Sequence, residues 1–312
     1  MIAPVRYPAA LAGVTFCETP LNRADALRGD AAALARLWPQ ANVMLLDASG
    51  AALADDSGAL LLFSGAALSA QPGEATLLGL DGDAAWFAAD AEALEIEAPQ
   101  RVDLRRAAAT WPAPQAAAFA FAKAMQHWRS RSRYCGACGG ALAMRRGGYV
   151  AHCGRCASDH YPRVDPAVIV AVSDGERLLL GRQASWPERR YSVVAGFVEP
   201  GETLEQTLVR EVFEETRVRV RSCRYLGAQP WPFPGALMLG FIADAKPDVP
   251  TVDGELQDAR WFTVEEVGAA MARRSDEVDG LLLSPKISIA RSLIDYWYAG
   301  MTGRAPMPGT SG

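Results

Sequence analysis

Short apolar runs broken by Gly, Asp and Ser dominate the first hundred residues. Residues 41–47 (ANVMLLD), 59–63, 76–80 and 84–87 read as buried strands, with turns at Asp47-Ala-Ser-Gly50, Ser57-Gly58 and Asp81-Gly82-Asp83. A leucine–arginine segment, 23–38, reads as a helix. No chemistry is visible here, so residues 1–100 are expected to form an α/β or β-rich domain acting as scaffold or dimer support. The period then changes. Residues 116–131 are alanine-rich and helical, with Phe119, Lys123, Gln126 and Ser130 near one face. Phe121, Met125 and Trp128 make an apolar stripe, of the kind that serves a core or an interface. Residues 101–133 are expected to be a linker helix.

Beyond residue 165 strand and helix periods alternate. Residues 167–172 (AVIVAV) and 177–180 around Asp174-Gly175-Glu176 predict a β-hairpin. A strand over 191–195 runs into a loop at Gly196, followed by a helix from Thr203. Strands are predicted over 219–228, 236–243 and 256–263, and helices over 264–273 and 288–298. The tail, 301–312, is expected to be disordered.

Charge sharpens this division. The 312-residue chain carries a net charge of −5, yet residues 1–100 hold 4 basic and 13 acidic side chains while 101–164 hold 11 basic and 2 acidic. The composition therefore shifts near residue 100. The run Arg129, Arg131, Arg133 suits a solvated face or a nucleic-acid contact. Apolar runs are of strand length, none reaching the 18 or so residues of a membrane-spanning helix, and no basic-then-apolar leader opens the chain. A cytoplasmic protein without membrane contact is the expectation.

In that compartment two Cys-x-x-Cys pairs read as metal ligands. Cys135-Gly-Ala-Cys138 and Cys153-Gly-Arg-Cys156 are separated by fourteen residues, which is zinc-ribbon spacing. Four thiolates close a tetrahedral sphere, so one structural Zn2+ per subunit is expected within residues 134–164, with no position open for catalysis. One pair alone would also suit a dithiol redox motif. His152 and His160 read as ordinary surface histidines, and Cys17 and Cys223 as inert.

The strongest chemical signal is acidic. On the helix from Thr203, Glu211, Glu214 and Glu215 stand i, i+3 and i+4, so they share one face and repel one another. Arg210 on the same helix, or hard divalent cations such as Mg2+ or Mn2+, would offset that repulsion. A solvated acidic face is the plainer alternative. Further on, Gln229-Pro230-Trp231-Pro232-Phe233-Pro234 forms a stiff extended loop. It suits either a surface polyproline stretch or the stacking of planar rings.

The full spacing decides between these. Gly196, five residues, Glu202, seven residues, then Arg210-Glu211-Val212-Phe213-Glu214-Glu215 and Val218 resembles the Nudix box. One position departs, Arg217 standing where the family has glycine. That residue is expected to end the helix in the left-handed region, at a cost on the order of 1 kcal/mol for a side chain. Zinc ribbon, box and QPWPFP together resemble the NADH pyrophosphatase family of Nudix hydrolases over about residues 100–298. The family's flanking serines are Ala228 and Ala236 here.

The resemblance implies an α-β-α sandwich of the α+β class, with a mixed sheet, over 165–300. It implies hydrolysis of NAD(H) to NMN(H) and AMP, removal of NAD caps from RNA, and a homodimer sharing its active site. Two or three Mg2+ or Mn2+ ions would be held by Glu211, Glu214 or Glu215, the Ala195 carbonyl and Glu255. Glu214 or Glu215 would handle the attacking water, with Arg210 and Glu202 completing the catalytic set. Substrate contacts would come from Gln229 through Gly235 and Ala236, from Arg105 (or its neighbour Arg106), Tyr161 and Ala290, and from Phe197 as a second stacking ring. The alternatives are a Nudix hydrolase for ADP-ribose, diadenosine polyphosphates or oxidised nucleotides, and a non-catalytic zinc-ribbon protein gripping RNA.

Overall fold

Apolar strands and amphipathic helices assemble into three sheets among the described residues, which in this computed structural model are 11, 13–18, 21–273 and 279–303. Two compact units emerge. One holds Phe16–Val164 together with Pro230–Gly235, the other Asp165–Gln229, the residues from Ala236 on, and a short stretch ending at Thr15.

The first unit begins with α1 (Asp25–Arg28) and α2 (Ala31–Leu37). The single helix expected over 23–38 is broken because Asp30 caps α2, its carboxylate accepting the Ala33 N–H at 2.9 Å. Strands β1 (Asn42–Leu46), β2 (Ala52–Ala54) and β3 (Leu62–Ser64) lead to the one-turn α3 (Gly65–Leu68). Then come β4 (Thr76–Asp81), β5 (Ala84–Asp90), β6 (Gln100–Val102), α4 (Leu104–Thr110) and α5 (Ala113–Arg131). The sheet order is β4-β5-β1-β2-β6, with β3 also pairing β1. Three-residue, alanine-containing strands such as β2 leave no period to read, and the sequence does not reveal β2 or β6.

Residues 101–133 are not a linker. Ala116, Ala118, Phe119 and Ala122 of α5 share a core with Met44, Leu46 and Leu78. On the polar side Lys123 Nζ donates to the carbonyls of Ser49 and Gly50, and Gln126 Nε2 to that of Asp47. The apolar stripe is likewise core: Met125 and Trp128 are buried against Ala151. Arg129 donates to Thr76 Oγ1, while Arg131 and Arg133 stay exposed. The zinc-ribbon segment, with β7 (Leu142–Arg145), β8 (Val150–Cys153) and β9 (Asp159–His160), belongs to this same unit.

The second unit contains β10 (Asp165–Ser173), β11 (Arg177–Arg182), β12 (Val194–Phe197), α6 (Leu204–Thr216), β13 (Val220–Trp231), β14 (Ala236–Ala245), β15 (Asp258–Thr263), α7 (Val264–Ala272) and α8 (Ile289–Thr302). Its sheet runs β13-β14-β10-β11-β15, with β12 also pairing β10. Strand β10 lies parallel to β14 and antiparallel to β11 and β12, so the sheet is mixed. Its side chains alternate as a strand dictates. Ile169 and Ala171 pack with Leu293, Ile294 and Trp297 of α8, whereas Val168, Val170 and Val172 pack with Leu208 and Val212 of α6. The expected α-β-α sandwich results from that two-sided burial. Gly196 lies inside β12 and not in a loop, opposite Val168. Helix α8 extends to Thr302, so residues 301–302 of the expected tail are helical, and 304–312 lie outside the described residues.

The two large sheets have one wiring. In each, the first strand pairs the second at its C-terminal end and the third along its N-terminal half. The fifth lies parallel on the other side, and the fourth and sixth form the edges. No sequence signal announces this repetition.

Candidate active site

Helix α6 is built to hold carboxylates in place. Thr203 caps it in a capping box with Gln206, and its inner face buries Leu208 and Val212 completely. Arg210 then gathers the acids. Its Nε and Nη2 grip both oxygens of Glu202 at 2.6 and 2.9 Å, and Nη1 reaches Glu211 and Glu214, each at 3.0 Å. Nη2 also donates to the Phe197 carbonyl, tying α6 to β12. Glu202 further accepts the Thr207 hydroxyl at 2.8 Å and the Glu199 N–H at 3.1 Å. Arg210 first, and these donors with it, hold the Glu202 carboxyl down at about 2. Buried Thr207 is a supporting residue that the sequence pattern does not single out.

The one-face arrangement of three glutamates is thereby divided. Glu214 is half-exposed beside Arg210. Glu211 turns toward β12, where its carboxylate carbon would lie 1.8 Å from a Cβ built on Gly196. Only glycine admits this approach, which explains the first glycine of the box and sets Glu211 beside the Ala195–Gly196 peptide. Glu215 is the buried member, 5% exposed and without an ion pair among the described residues. Burial, then the charges of Glu255 and Glu211, push it up to about 8. Glu211 is raised as well, by burial first, with Glu214 and Glu255 adding to the rise and Arg210 opposing it.

Buried, unpaired Glu215, with Glu211 and exposed Glu255 near enough to raise it, fits the chemistry of a divalent metal site, since hard ions take carboxylate and carbonyl oxygen. Among the described residues the four cysteines are the only group of three or more His, Cys, Asp or Glu whose ligand atoms all lie within 4.8 Å of one another. The wider carboxylate set suits ions that keep water in their shell, as Mg2+ and similar cations do.

Arg217 ends α6 in the left-handed conformation expected of it, at φ 60° and ψ 10°. Its guanidinium pairs with Asp253 and stands 5.5 Å from the Phe213 ring.

The ribbon brings its four sulfurs together as its spacing predicts. Cys135 and Cys156 Sγ are 3.6 Å apart, Cys138 and Cys153 Sγ 3.5 Å. A Cβ on Gly140 would stand 3.0 Å from Cys153 Sγ, so this glycine gives the knuckle its room. His160 is not an ordinary surface residue: its Nε2 lies 3.3 Å from Cys135 Sγ, placed there by the β8–β9 pairing and so hidden from sequence spacing. His152 instead pairs with Asp159.

The substrate segment divides too. Gln229 is fully buried, donating to the carbonyls of Thr15 and Ile287 and accepting the Ile289 N–H at 2.8 Å. Its amide is thus spent on backbone, which makes it a structural tie and not a free substrate contact. Ala290 is buried in the α8 core as well. Trp231 and Phe233 are half-buried, with ring centroids 4.8 Å apart, and pack on the core of the first unit. Pro230 and Pro234 are exposed, Pro232 is buried, and Gly235 and Ala236 are intermediate. Arg105 lies over Phe233 at 4.1 Å, whereas Arg106 is turned to Gln100. Tyr161 and Phe197 each expose about 60% of their surface.

These features have close counterparts. Residues 163–280 match the NUDIX domain, 130–161 the NADH pyrophosphatase zinc ribbon domain, and 27–128 the NADH pyrophosphatase-like rudimentary NUDIX domain. The last accounts for the repeated wiring of the two sheets. A NAD-capped RNA hydrolase NudC of Mycobacterium bovis is 39% identical over 292 residues, covering 89% of this chain and 92% of that protein, and one of Mycobacterium tuberculosis matches to the same extent. NAD-capped RNA hydrolase NUDT12 of Macaca fascicularis is 40% identical over 194 residues, or 59% of this chain and 42% of that protein. With the ribbon, the acidic helix and the doubled sheet all in place, the chain belongs to the NudC family of Nudix hydrolases.

Proposed function

We propose that the chain splits the pyrophosphate of NAD(H) into NMN(H) and AMP and removes NAD caps from RNA 5′ ends. The observation that carries this reading is the convergence of Glu211, buried Glu215 and Glu255 in a chain related over nearly its whole length to NAD-capped RNA hydrolases. Water adds across one phosphoanhydride bond, and each product keeps one phosphate.

Glu211, Glu215, Glu255 and the Ala195 carbonyl would hold the divalent cations, with Mg2+ and Mn2+ both suited to an all-oxygen set. Two or three such ions supply neutralisation of the pyrophosphate and of charge developing as its bond breaks. Glu215, buried and without a cationic side chain beside it, would serve as ligand. Glu214, exposed and oriented by Arg210, positions the attacking water and takes its proton. Glu202 acts through Arg210, fixing the guanidinium that orients the other two. Trp231 and Phe233 offer ring faces to the base or nicotinamide, a contact worth about 1–3 kcal/mol per ring. Arg105 and Tyr161 add a cation and an exposed ring, and Phe197 another.

Cys135, Cys138, Cys153 and Cys156 would hold one structural Zn2+, and thiolate ligation suits a reducing, cytoplasmic setting. Exposed Val209 and Phe213 on α6 and Phe197 beside it support burial in a homodimer.

The test is a substrate panel with Mg2+ or Mn2+: NADH, NAD+, NAD-capped RNA, ADP-ribose and diadenosine polyphosphates. AMP plus NMNH from NADH, with 5′-monophosphate RNA from the capped RNA, is the expected outcome. Fast ADP-ribose cleavage without NADH cleavage would move the chain to another Nudix substrate. Salt-dependent RNA binding without any hydrolysis would make it a binding protein.

A further inference from the structure

The residue that departs from the box does more than end a helix. Between β14 and β15 the chain runs through residues 246–257 with neither helix nor strand, and this stretch carries Glu255. Its attachments to the end of α6 are specific. The Thr251 N–H donates to the Thr216 carbonyl at 2.9 Å. Arg219, two residues past Arg217, grips both oxygens of Asp248. The guanidinium of Arg217 pairs with Asp253. On the far side Leu256 is buried against Gly181, and the Gln257 N–H donates to the Arg182 carbonyl at 2.8 Å.

Glu255 therefore sits between a buried anchor at Leu256 and a swivel at Gly254, whose φ of 116° belongs to glycine. Asp253 fixes the near side of that swivel, and Arg217 fixes Asp253. A glycine at 217 would relax the left-handed backbone but leave Asp253 without its partner.

We infer that Arg217 is a positioning residue for the divalent-cation site, acting through Asp253 to hold Glu255 toward Glu211 and Glu215. It touches neither substrate nor cation. The inference rests on the proposed carboxylate site for the presence of a cation, and on this chain's own contacts for everything else. The pair is about half-exposed at both ends. Exposed ion pairs are individually weak, so the expected effect is a modest one, about two- to five-fold.

Mn2+ binding to the 312-residue, zinc-loaded protein, measured by calorimetry and by electron paramagnetic resonance without substrate, provides the test. Arg217→Gly is expected to bind Mn2+ about two- to five-fold more weakly than the parent while its Tm stays equal or rises. Asp253→Asn is expected to weaken binding to the same degree, and the double variant no further than either single one. In turnover assays the Mn2+ concentration for half-maximal rate shifts, whereas kcat at saturating Mn2+ and KM for NADH do not. Unchanged Mn2+ binding in Arg217→Gly and Asp253→Asn overturns the inference, as does full additivity in the double variant. If the parent itself binds no Mn2+, or Glu215→Gln binds it as tightly as the parent, the carboxylate site is wrong and the inference falls with it. Mn2+ binding by the parent that Glu215→Gln weakens, alongside unaffected Arg217→Gly, leaves the site standing and removes only the role of Arg217.

Discussion

The two six-stranded sheets have the same strand order and differ in the helix attached to their third strand. After β3 comes α3, a single turn of Gly-Ala-Ala-Leu with no ionisable side chain. After β12 comes α6, thirteen residues carrying Arg210, Glu211, Glu214 and Glu215. Both sheets bury their first strand almost completely, since β1 and β10 must each pack on two faces. The wiring is thus maintained by apolar central strands, and the chemistry by one helix that the sheet tolerates in full or reduced form. A glycine permits a close approach in both, Gly65 at the start of α3 and Gly196 within β12. Gly65 faces the backbone carbonyl of Trp38, and Gly196 faces the Glu211 carboxylate. One glycine serves packing and the other serves the site.

The comparison breaks first at Glu215. Glu215→Gln is expected to lower kcat by about 10²–10⁴-fold. Zinc content should match the parent's, and stability near neutral pH should hold, because the amide replaces a carboxyl that is largely protonated there in the absence of a cation. Steady-state kinetics with NADH beside zinc analysis and thermal denaturation would check all three. Gly196→Ala comes next. Its Cβ cannot coexist with a carboxylate carbon 1.8 Å away, so Glu211 must withdraw from β12. Activity should fall by about 10-fold or more while Tm stays within a few degrees, since the atom that gives way ends a flexible side chain.

Gly65→Ala should show the opposite balance. Its Cβ would stand 2.0 Å from the Trp38 carbonyl oxygen, which is backbone and cannot swing aside. Overpacking of this kind costs about 1–3 kcal/mol, seen as a fall of several degrees in Tm, while kcat per folded molecule is unchanged. Equal losses of activity in Gly65→Ala and Gly196→Ala would erase the distinction between the two glycines.

Legibility in the sequence divides along the same line. The box, the ribbon cysteines and the long strands are legible because spacing or period encodes them directly. Arg217 in the left-handed region is legible as well, because a helix end at that position has few conformations. The repeated sheet is not: β2 and β6 have three residues each, and α3 retains none of the box. The family resemblance makes Gln229 a substrate contact, yet its partners Thr15 and Ile287, far away in sequence, occupy its amide. His160 escapes a reading by spacing for a similar reason, its contact with Cys135 arising from strand pairing. The helix over 113–131 reads as a connector because alanine hides the difference between a solvated helix and one packed closely against a sheet.

The smallest expected effect distinguishes the two helices by pH alone. In protein free of divalent cations Glu215 has its folded pKa raised from 4.5 to about 8, by burial first and then by Glu255 and Glu211. A raised acid favours the folded state while protonated, so its contribution is complete below about pH 4.5 and is lost as pH climbs through 8. Glu202 has the opposite sign. Held down at about 2 by Arg210, it stabilises above pH 4.5 and loses that contribution as pH falls toward 2. Amide exchange in α6 should therefore quicken, relative to its intrinsic rate, between pH 5 and 8 without Mg2+, and added Mg2+ should restore protection by displacing the Glu215 proton. Glu215→Gln should flatten that slope. Helix α3, with nothing to titrate, should show no slope of this origin, and a matching Mg2+-sensitive slope there would mean that the carboxylates are not its cause.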